Sequence, residues 1–441
     1  MTESRVGELT ACDPFGPWAS PHCARWLLFS VVVAAVFGPG FVLGLQPGQG
    51  EILDFYQEWS SARCVLDGLP AYMPVEESVV KLLGMNVAPG TELAWNINAH
   101  PPTSILIAIP FALLDYPAGT LAWNVVSLAL LAFSLWLVVR GLGIRFSPWA
   151  LLPVLAILLA SDPFRQQMRQ GQLNLVLLSL LTGAWVCDRS DRPRWAGVLV
   201  GVATCIKIFP GFLFVYFLLR RDVRATIAGT ITVVLLTAAT VGILGTSAFE
   251  TYGTEVLPGM GQWKAAWNNA SITGFWSKFF APGARNGTMV ALVDNRLIAQ
   301  LGAAASSLVV LALFARRAWQ ARTLRERDLT FALSVTTMLL VAPATWEHYF
   351  LLLIPSLAIV WVRMPCTSAN RWLLGCVLAG LCFPMIVLAN LFVPGGFHGG
   401  TAGPLHTVTV LSIPFYALLG LFVLCWRSLG ANEIAPIPHA A

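Results

Sequence analysis

Apolar stretches recur along this chain from Trp26 to Trp426, cut by short loops that carry charge or Pro/Gly. A helix rises about 1.5 Å per residue and the hydrocarbon of a bilayer is about 30 Å thick, so a crossing takes roughly 20 apolar residues. The runs are continuous rather than alternating, which excludes a barrel of membrane strands. Only 11% of the residues are charged and 57% are apolar, where a soluble domain is about a quarter charged. The fold class that follows is an all-α polytopic membrane protein. The first apolar run starts near Arg25 with no small-residue cleavage site after it, so it is expected to stay as the first span.

Several functions drop out early. The net charge of +5 comes from loop arginines, and no basic cluster with interleaved aromatics points to nucleic acid. Neither CxxC nor HExxH occurs, so no metal site is expected. Of the nine cysteines, Cys187, Cys205, Cys376, Cys382 and Cys425 lie in or beside apolar runs as small buried side chains, and Cys64 alone falls in a clear loop, so no disulfide is expected there.

The apolar segments are 25–45, 103–115, 117–140, 148–162, 173–187, 195–206, 208–220, 225–246, 297–315, 329–346, 348–362, 372–393 and 407–426. If all crossed, the Arg-rich loops 188–194 and 220–224 would face away from Arg5 and Arg25, against the tendency of basic loops to stay inside. Segment 103–115 is short and contains Pro110; if it dips or lies at the interface, about twelve crossings remain (range 11–13). The 27 basic residues then divide into 18 inside and 9 outside, with both termini cytoplasmic. Tails 1–24 and 428–441 flank one membrane domain, 25–427. Three polar stretches share the outer side: 46–102, 161–172 and 247–296. Segments 195–206 and 208–220 hold 12 and 13 residues, about 18–20 Å of helix and less than the membrane thickness, so the turn at Lys207 should lie below the outer surface. Irregular backbone at that depth is tolerated where it lines a cavity.

Residues able to do chemistry gather on that side. Asp54 stands four before Glu58, which places both carboxylates on one helix face. Acids also favour solvated helix starts, but a carboxylate at the mouth of a cavity is well suited to act as a general base. Glu58 would tune Asp54 or contact an acceptor. Gly68-Leu-Pro-Ala-Tyr72, His100-Pro101-Pro102, Gly171-Gln172-Leu-Asn174, Lys207-Ile-Phe-Pro210, Asn268-Asn269-Ala-Ser271 and Trp346-Glu347-His348-Tyr349 follow. Ionisable groups at membrane depth are functional by default. Lys207 suits an anionic phosphate, with Glu347 or Asp162 as its resting partner and Arg165 and Arg169 as helpers. Trp59, Trp263, Trp267 and Trp276 either stack on sugars or form an interfacial belt.

The order Asp54, Gly68-x-x-x-Tyr72, Pro101-Pro102, GQLN at 171–174, KIFP at 207–210 with Arg220-Arg221, Asn269-x-Ser271 and WEHY at 346–349 resembles glycosyltransferase family 87, over about residues 50–430. That family lies in the C-type (GT-C) superfamily of membrane glycosyltransferases and includes polyprenol-phosphate-mannose-dependent α-mannosyltransferases. The resemblance implies a GT-C bundle with an outward-facing cavity in a bacterial plasma membrane. The implied reaction moves a hexose, mannose by preference, from a polyprenyl-monophosphate donor to a lipid or glycan acceptor, with inversion. Asp54 would be the base. Lys207, His348, Arg165 and Arg169 would meet the phosphate charge. Glu58, Tyr72, His100, Gln172, Asn174 and Asn269 would contact acceptor or sugar. GT-C relatives often carry two acids in the second outer loop; here only Asp162 stands there, a departure that argues against a metal site, and no cofactor is expected. The rivals are a transporter or flippase, which should show paired broken helices in two halves, and a glycan ligase, which tends to carry its large loop late in the chain. Only one short hairpin, at Lys207, is visible in the sequence.

Overall fold

The computed structural model describes residues 20–48, 51–85, 97–144, 148–282, 289–393 and 401–430. Most of both expected tails lies outside the described residues, as do Arg5, Arg145 and Arg285 of the charge count. The described chain is helical nearly throughout, and its β pairing is one isolated bridge, Met289 with Ala402. In chain order the helices are α1 (Ser20–Leu43), α2 (Phe55–Leu66), α3 (Val75–Leu83), α4 (Pro102–Ala112), α5 (Tyr116–Leu142), α6 (Pro148–Ala160), α7 (Asp162–Gln170), α8 (Asn174–Arg189) and α9 (Pro193–Ile206). They continue as α10 (Phe212–Leu219), α11 (Val223–Leu244), α12 (Ile272–Phe280), α13 (Arg296–Gln320), α14 (Leu324–Val341), α15 (Ile354–Arg363), α16 (Ser368–Cys382), α17 (Met385–Phe392) and α18 (Ile413–Gly430).

By length and composition, five helical stretches among the described residues can cross a bilayer unbroken: α1, α5, α11, α13 and the stretch Pro404–Gly430 that ends in α18. Two further pairs qualify only if each bent pair is one span: α7 with α8, bent by 118°, and α16 with α17, bent by 84°. The remaining apolar helices are short. Helix α4 has 11 residues, roughly 16 Å of helix, shorter than the hydrocarbon of a bilayer. The sequence reading needs correction at its breaks. It takes 372–393 as one run and sees one broken hairpin. The structure breaks 372–393 at Phe383-Pro384, where Pro384 ends the α16 hydrogen-bond ladder.

The breaks are where the site is built. Between α7 and α8 the chain reverses at Gly171, whose φ of +66° is left-handed. A Cβ there would also lie 2.6 Å from that of Phe55. Only glycine meets both demands, and the reversal carries Gln172 back towards the start of α2.

Helix α2, which the sequence places in a loop, is packed into the core with nine buried residues. Phe55 stacks on Trp123 at 5.0 Å, and the Trp123 indole N–H donates to the Gly171 carbonyl at 2.7 Å. The Leu53 N–H donates to the Tyr116 hydroxyl at 3.0 Å. These contacts fix the first turn of α2 against α5 and the α7–α8 reversal. Another buried polar cluster lies at the other end of α9, roughly 21 Å away for its 14 residues. There Asp188 pairs with Arg220, and the fully buried Asp328 accepts from Arg189, Arg363 and Trp185. Removing one partner from such a pair costs about 3–5 kcal/mol, so this end is a clamp.

Candidate active site

Three chain reversals and the start of α2 bring their polar side chains to one place. Asp54 immediately precedes α2, and its backbone N–H donates to Gln170 Oε1 at 3.3 Å. Its Oδ2 accepts a short hydrogen bond from Gln172 Nε2. The same Gln172 presents Oε1 to the Lys207 ammonium at 3.1 Å. One amide therefore bridges carboxylate and cation, with its nitrogen facing the anion and its oxygen the cation. Asn174 repeats the pattern, its Oδ1 accepting from Lys207 at 3.4 Å and its Nδ2 donating to Gln167 Oε1 at 2.9 Å. Gln167, fully buried, closes the ring by donating to the Gln172 carbonyl.

Lys207 is 4% exposed and leaves the end of α9 in extended conformation. Its ammonium lies 4.7 Å from the centre of the Tyr349 ring, which stacks on Phe209. Its contacts are thus neutral amides and an aromatic face. The carboxylates of Asp54 and Glu58 act on it through space. A desolvated cation without a carboxylate in contact is suited to an incoming anion. His348, beside Tyr349, has a buried Nε2 with no hydrogen-bond partner among the described residues.

On the Asp54 side, Glu58 Oε1 and His100 Nδ1 make a short contact. Burial pushes the His100 imidazole below its ordinary pKa, opposed by Glu58, so the neutral ring donates to the carboxylate. Asp54 is raised from 3.8 to about 7, first by burial and then by the Glu58 charge, against the pull of the Gln172 hydrogen bond and of Lys207. A carboxyl group with that pKa accepts a proton near neutrality.

Of the residues singled out in the sequence, Asp54, Glu58, His100, Gln172, Asn174, Lys207 and His348 converge. The others do not. The Tyr72 hydroxyl spends its one proton on a 2.6 Å bond to the His100 carbonyl, which ties it to the loop. Asn269 is fully buried; its Nδ2 donates to the carbonyls of Lys264 and Pro343 and its Oδ1 accepts from the N–H groups of Ser271 and Thr345. No bonding capacity is left for a ligand. Arg165 pairs with Asp162 at 3.4 Å and lies over Phe37, while Arg169 is exposed, so neither contacts Lys207. The expected resting partners of Lys207 are likewise engaged elsewhere: Asp162 with Arg165, and Glu347 with the Asn268 amide at 2.9 Å. Trp59 is buried in the core and donates to the Leu114 carbonyl, and the Trp276 ring packs between Phe280 and Gly302 and donates to Ser306.

Sequence reasoning gave no role to Gln167, Gln170 or Tyr349. The glutamines sit in the polar run 161–172, where their side chains carry no signal of their own. Among the described residues no group of three His, Cys, Asp or Glu side chains is placed to hold a metal ion.

Residues 98–343 match the family model described as glycosyltransferase family 87, more than half of the chain. The polyprenol-phosphate-mannose-dependent alpha-(1-2)-phosphatidylinositol mannoside mannosyltransferase of Mycobacterium tuberculosis is 28% identical over 391 residues, 81% of each chain. Its counterpart in Mycolicibacterium smegmatis is 26% identical over 84% of this chain and 82% of its own. Among solved structures, apo ArnT from Cupriavidus metallidurans aligns over 92% of this chain and 76% of its own, with a TM-score of 0.42 and 14% identity. The helices and site define a multi-pass membrane protein with a buried carboxyl group and a buried cation joined through one amide. The chain belongs to glycosyltransferase family 87 and is a membrane glycosyltransferase. The additional helix breaks remove the sequence argument against a transporter; family membership decides the matter instead.

Proposed function

We propose that the chain transfers a hexose, mannose, from a polyprenyl-monophosphate donor to a lipid or glycan acceptor at the extracytoplasmic face of a bacterial plasma membrane. One domain, 25–427, does this between two cytoplasmic tails. The observation that carries the reading is the Gln172 bridge, which fixes a neutral-range base and a phosphate-sized cation on one amide. The names of the mycobacterial relatives support the donor.

In the reaction, Asp54 takes the proton of the acceptor hydroxyl. The oxygen attacks the anomeric carbon from the face opposite the phosphate, the C1–O bond breaks, and the configuration inverts. The bonding pair leaves with polyprenyl phosphate. Lys207 meets the added charge as a fixed cation at a developing anion, and the neutral His348 ring donates a hydrogen bond from Nε2, the atom with no partner among the described residues. Burial and the Glu58 charge keep the Asp54 carboxyl near neutrality, and His100 holds the Glu58 side chain in place. A monophosphate leaving group served by these residues needs no metal.

The test is incubation of the purified protein with labelled polyprenyl-phosphate sugars and extracted membrane lipids. Release of polyprenyl phosphate with a new inverted glycosidic linkage is the expected result. Transport of an intact lipid-linked sugar across a vesicle, with no new linkage, contradicts it.

A further inference from the structure

Glu347 is a buried carboxylate to which the reaction above gives no task. It opens the short helix Glu347–Leu353 and is 8% exposed. Its Oε2 accepts from the Asn268 amide at 2.9 Å, and the carboxylate also takes a hydrogen bond from its own backbone N–H. It enters no ion pair among the described residues. Asp162 and Lys278 act on it through space, with opposite sign. Lys278 is fully buried and donates instead to the carbonyls of Trp267 at 3.2 Å and Leu411 at 2.8 Å. A carboxylate offers about four lone-pair sites, so about two stay open to further donors. Taking such a group out of water with half its capacity unused is costly unless donors arrive.

Its position says which donors. The next residue is His348, one Cα step of about 3.8 Å along the chain, and the His348 carbonyl accepts from Asn174 Nδ2 at 3.5 Å. Asn174 in turn accepts from Lys207 at 3.4 Å, and the Lys207 ammonium lies 4.7 Å from the centre of the Tyr349 ring. Glu347 therefore borders the groups assigned to the donor phosphate. What adjoins that phosphate in the donor is the sugar, bonded through C1, and its hydroxyls are uncharged donors. On the other side of Glu347 in the chain stands an aromatic wall, where the half-buried rings of Trp346 and Trp263 meet edge to face at 5.9 Å. Carboxylate and amide suit the hydroxyls of a hexose, and an indole suits its C–H surface.

We propose that Glu347, held by Asn268, is the specificity residue that accepts hydroxyls of the sugar being transferred. The inference rests on the reading of the donor as a polyprenyl-phosphate sugar, and it assigns the group that tells one sugar from another.

The test is binding in nanodiscs of polyprenyl phosphate, of polyprenyl-phosphate-mannose and of the monodeoxy analogues of that mannoside. Glu347→Gln should weaken the mannoside by roughly 10-fold or more, the worth of a hydrogen bond to a charged group. Polyprenyl phosphate should bind no more weakly, because the variant only removes a negative charge beside its phosphate. At least one deoxy analogue should bind the unaltered protein about as weakly as the variant binds the full sugar. The variant should no longer tell that analogue from mannose, since both changes remove the same interaction. Equal losses for polyprenyl phosphate and its mannoside, no loss for either, or deoxy analogues discriminated alike by both proteins overturns the proposal. If Glu347→Gln does not fold, Asn268→Ala reads the same quantity: it releases the carboxylate, and the mannoside but not polyprenyl phosphate should lose affinity. Failure of the unaltered protein to bind any polyprenyl-phosphate sugar takes down the proposed function and this assignment together. Sugar-dependent binding that ignores Glu347 takes down the assignment alone.

Discussion

Replacing Lys207 with methionine separates the three things this residue is argued to do. The side chain is 4% exposed, and its ammonium serves Gln172 Oε1 at 3.1 Å and Asn174 Oδ1 at 3.4 Å. Methionine keeps much of the stem and loses the charge. Towards the donor, loss of a charge-assisted bond to phosphate is worth about 1.5–3 kcal/mol, or roughly 10- to 150-fold in Kd. Towards the fold, two buried amide oxygens lose a donor, at about 1–3 kcal/mol each. Removal of a cation that costs about 2.5–3.5 kcal/mol to insert offsets this, so Tm should move little. Towards the base, Lys207 lowers the pKa of Asp54. Without it that pKa rises above about 7. Transfer needs the carboxylate, which is present above the pKa and lost as pH falls through it, so the acidic limb of the activity profile should move to higher pH. Donor binding in nanodiscs, thermal melting and a pH–kcat/KM profile measure the three effects. An unchanged donor Kd together with an unmoved acidic limb refutes the reasoning and makes Lys207 a structural donor to Gln172 and Asn174.

Glu58→Gln removes the like charge that raises Asp54, so the acidic limb should move to lower pH while transfer persists; a pH profile unchanged from that of the unaltered enzyme rules out this coupling. Asn269→Ala leaves two carbonyls and two N–H groups without partners and should cost at least about 3 kcal/mol by denaturation, with KM unaltered in the folded fraction. A rise in KM at constant stability would restore its sugar-binding role. The exposed Asp115, which follows α4, changed to cysteine should react with an impermeant thiol reagent added from outside; labelling from the cytoplasm alone breaks the proposed topology.

The sequence showed the class of fold through its hydrophobic runs. It showed most of the site because an ionisable or amide side chain at a broken apolar segment is costly to bury unless it has a task there. Gln172, Asn174 and Lys207 stand at reversals that Gly171 and Pro210 announce. What it could not show is which polar residues spend their bonding capacity on the fold. Asn269 looks like a ligand in a string of letters and is saturated in three dimensions, and Tyr72 spends its proton on the His100 carbonyl. Arg165 and Arg169 share a helix with Gln167, yet only the glutamine points into the network, because the nine-residue α7 turns its arginines away. Helix α2 reads as a solvated helix start in the outer stretch 46–102 because its Gln57, Glu58, Ser60 and Ser61 are polar; they are buried by contacts with distant segments, which no local pattern records. The number of crossings escaped for a related reason: short helices joined at sharp breaks look the same as spans in a hydropathy profile.

The central claim is that Asp54 is the base for sugar transfer from a polyprenyl-phosphate donor. Single-turnover transfer of labelled mannose from polyprenyl-phosphate-mannose by Asp54→Asn, with donor affinity measured on the same preparation, tests it most directly. The folded variant should bind donor within about 2-fold of the unaltered protein and transfer at least roughly 100-fold more slowly, the lower end of what general-base catalysis contributes. Near-normal transfer by the folded variant would contradict the claim.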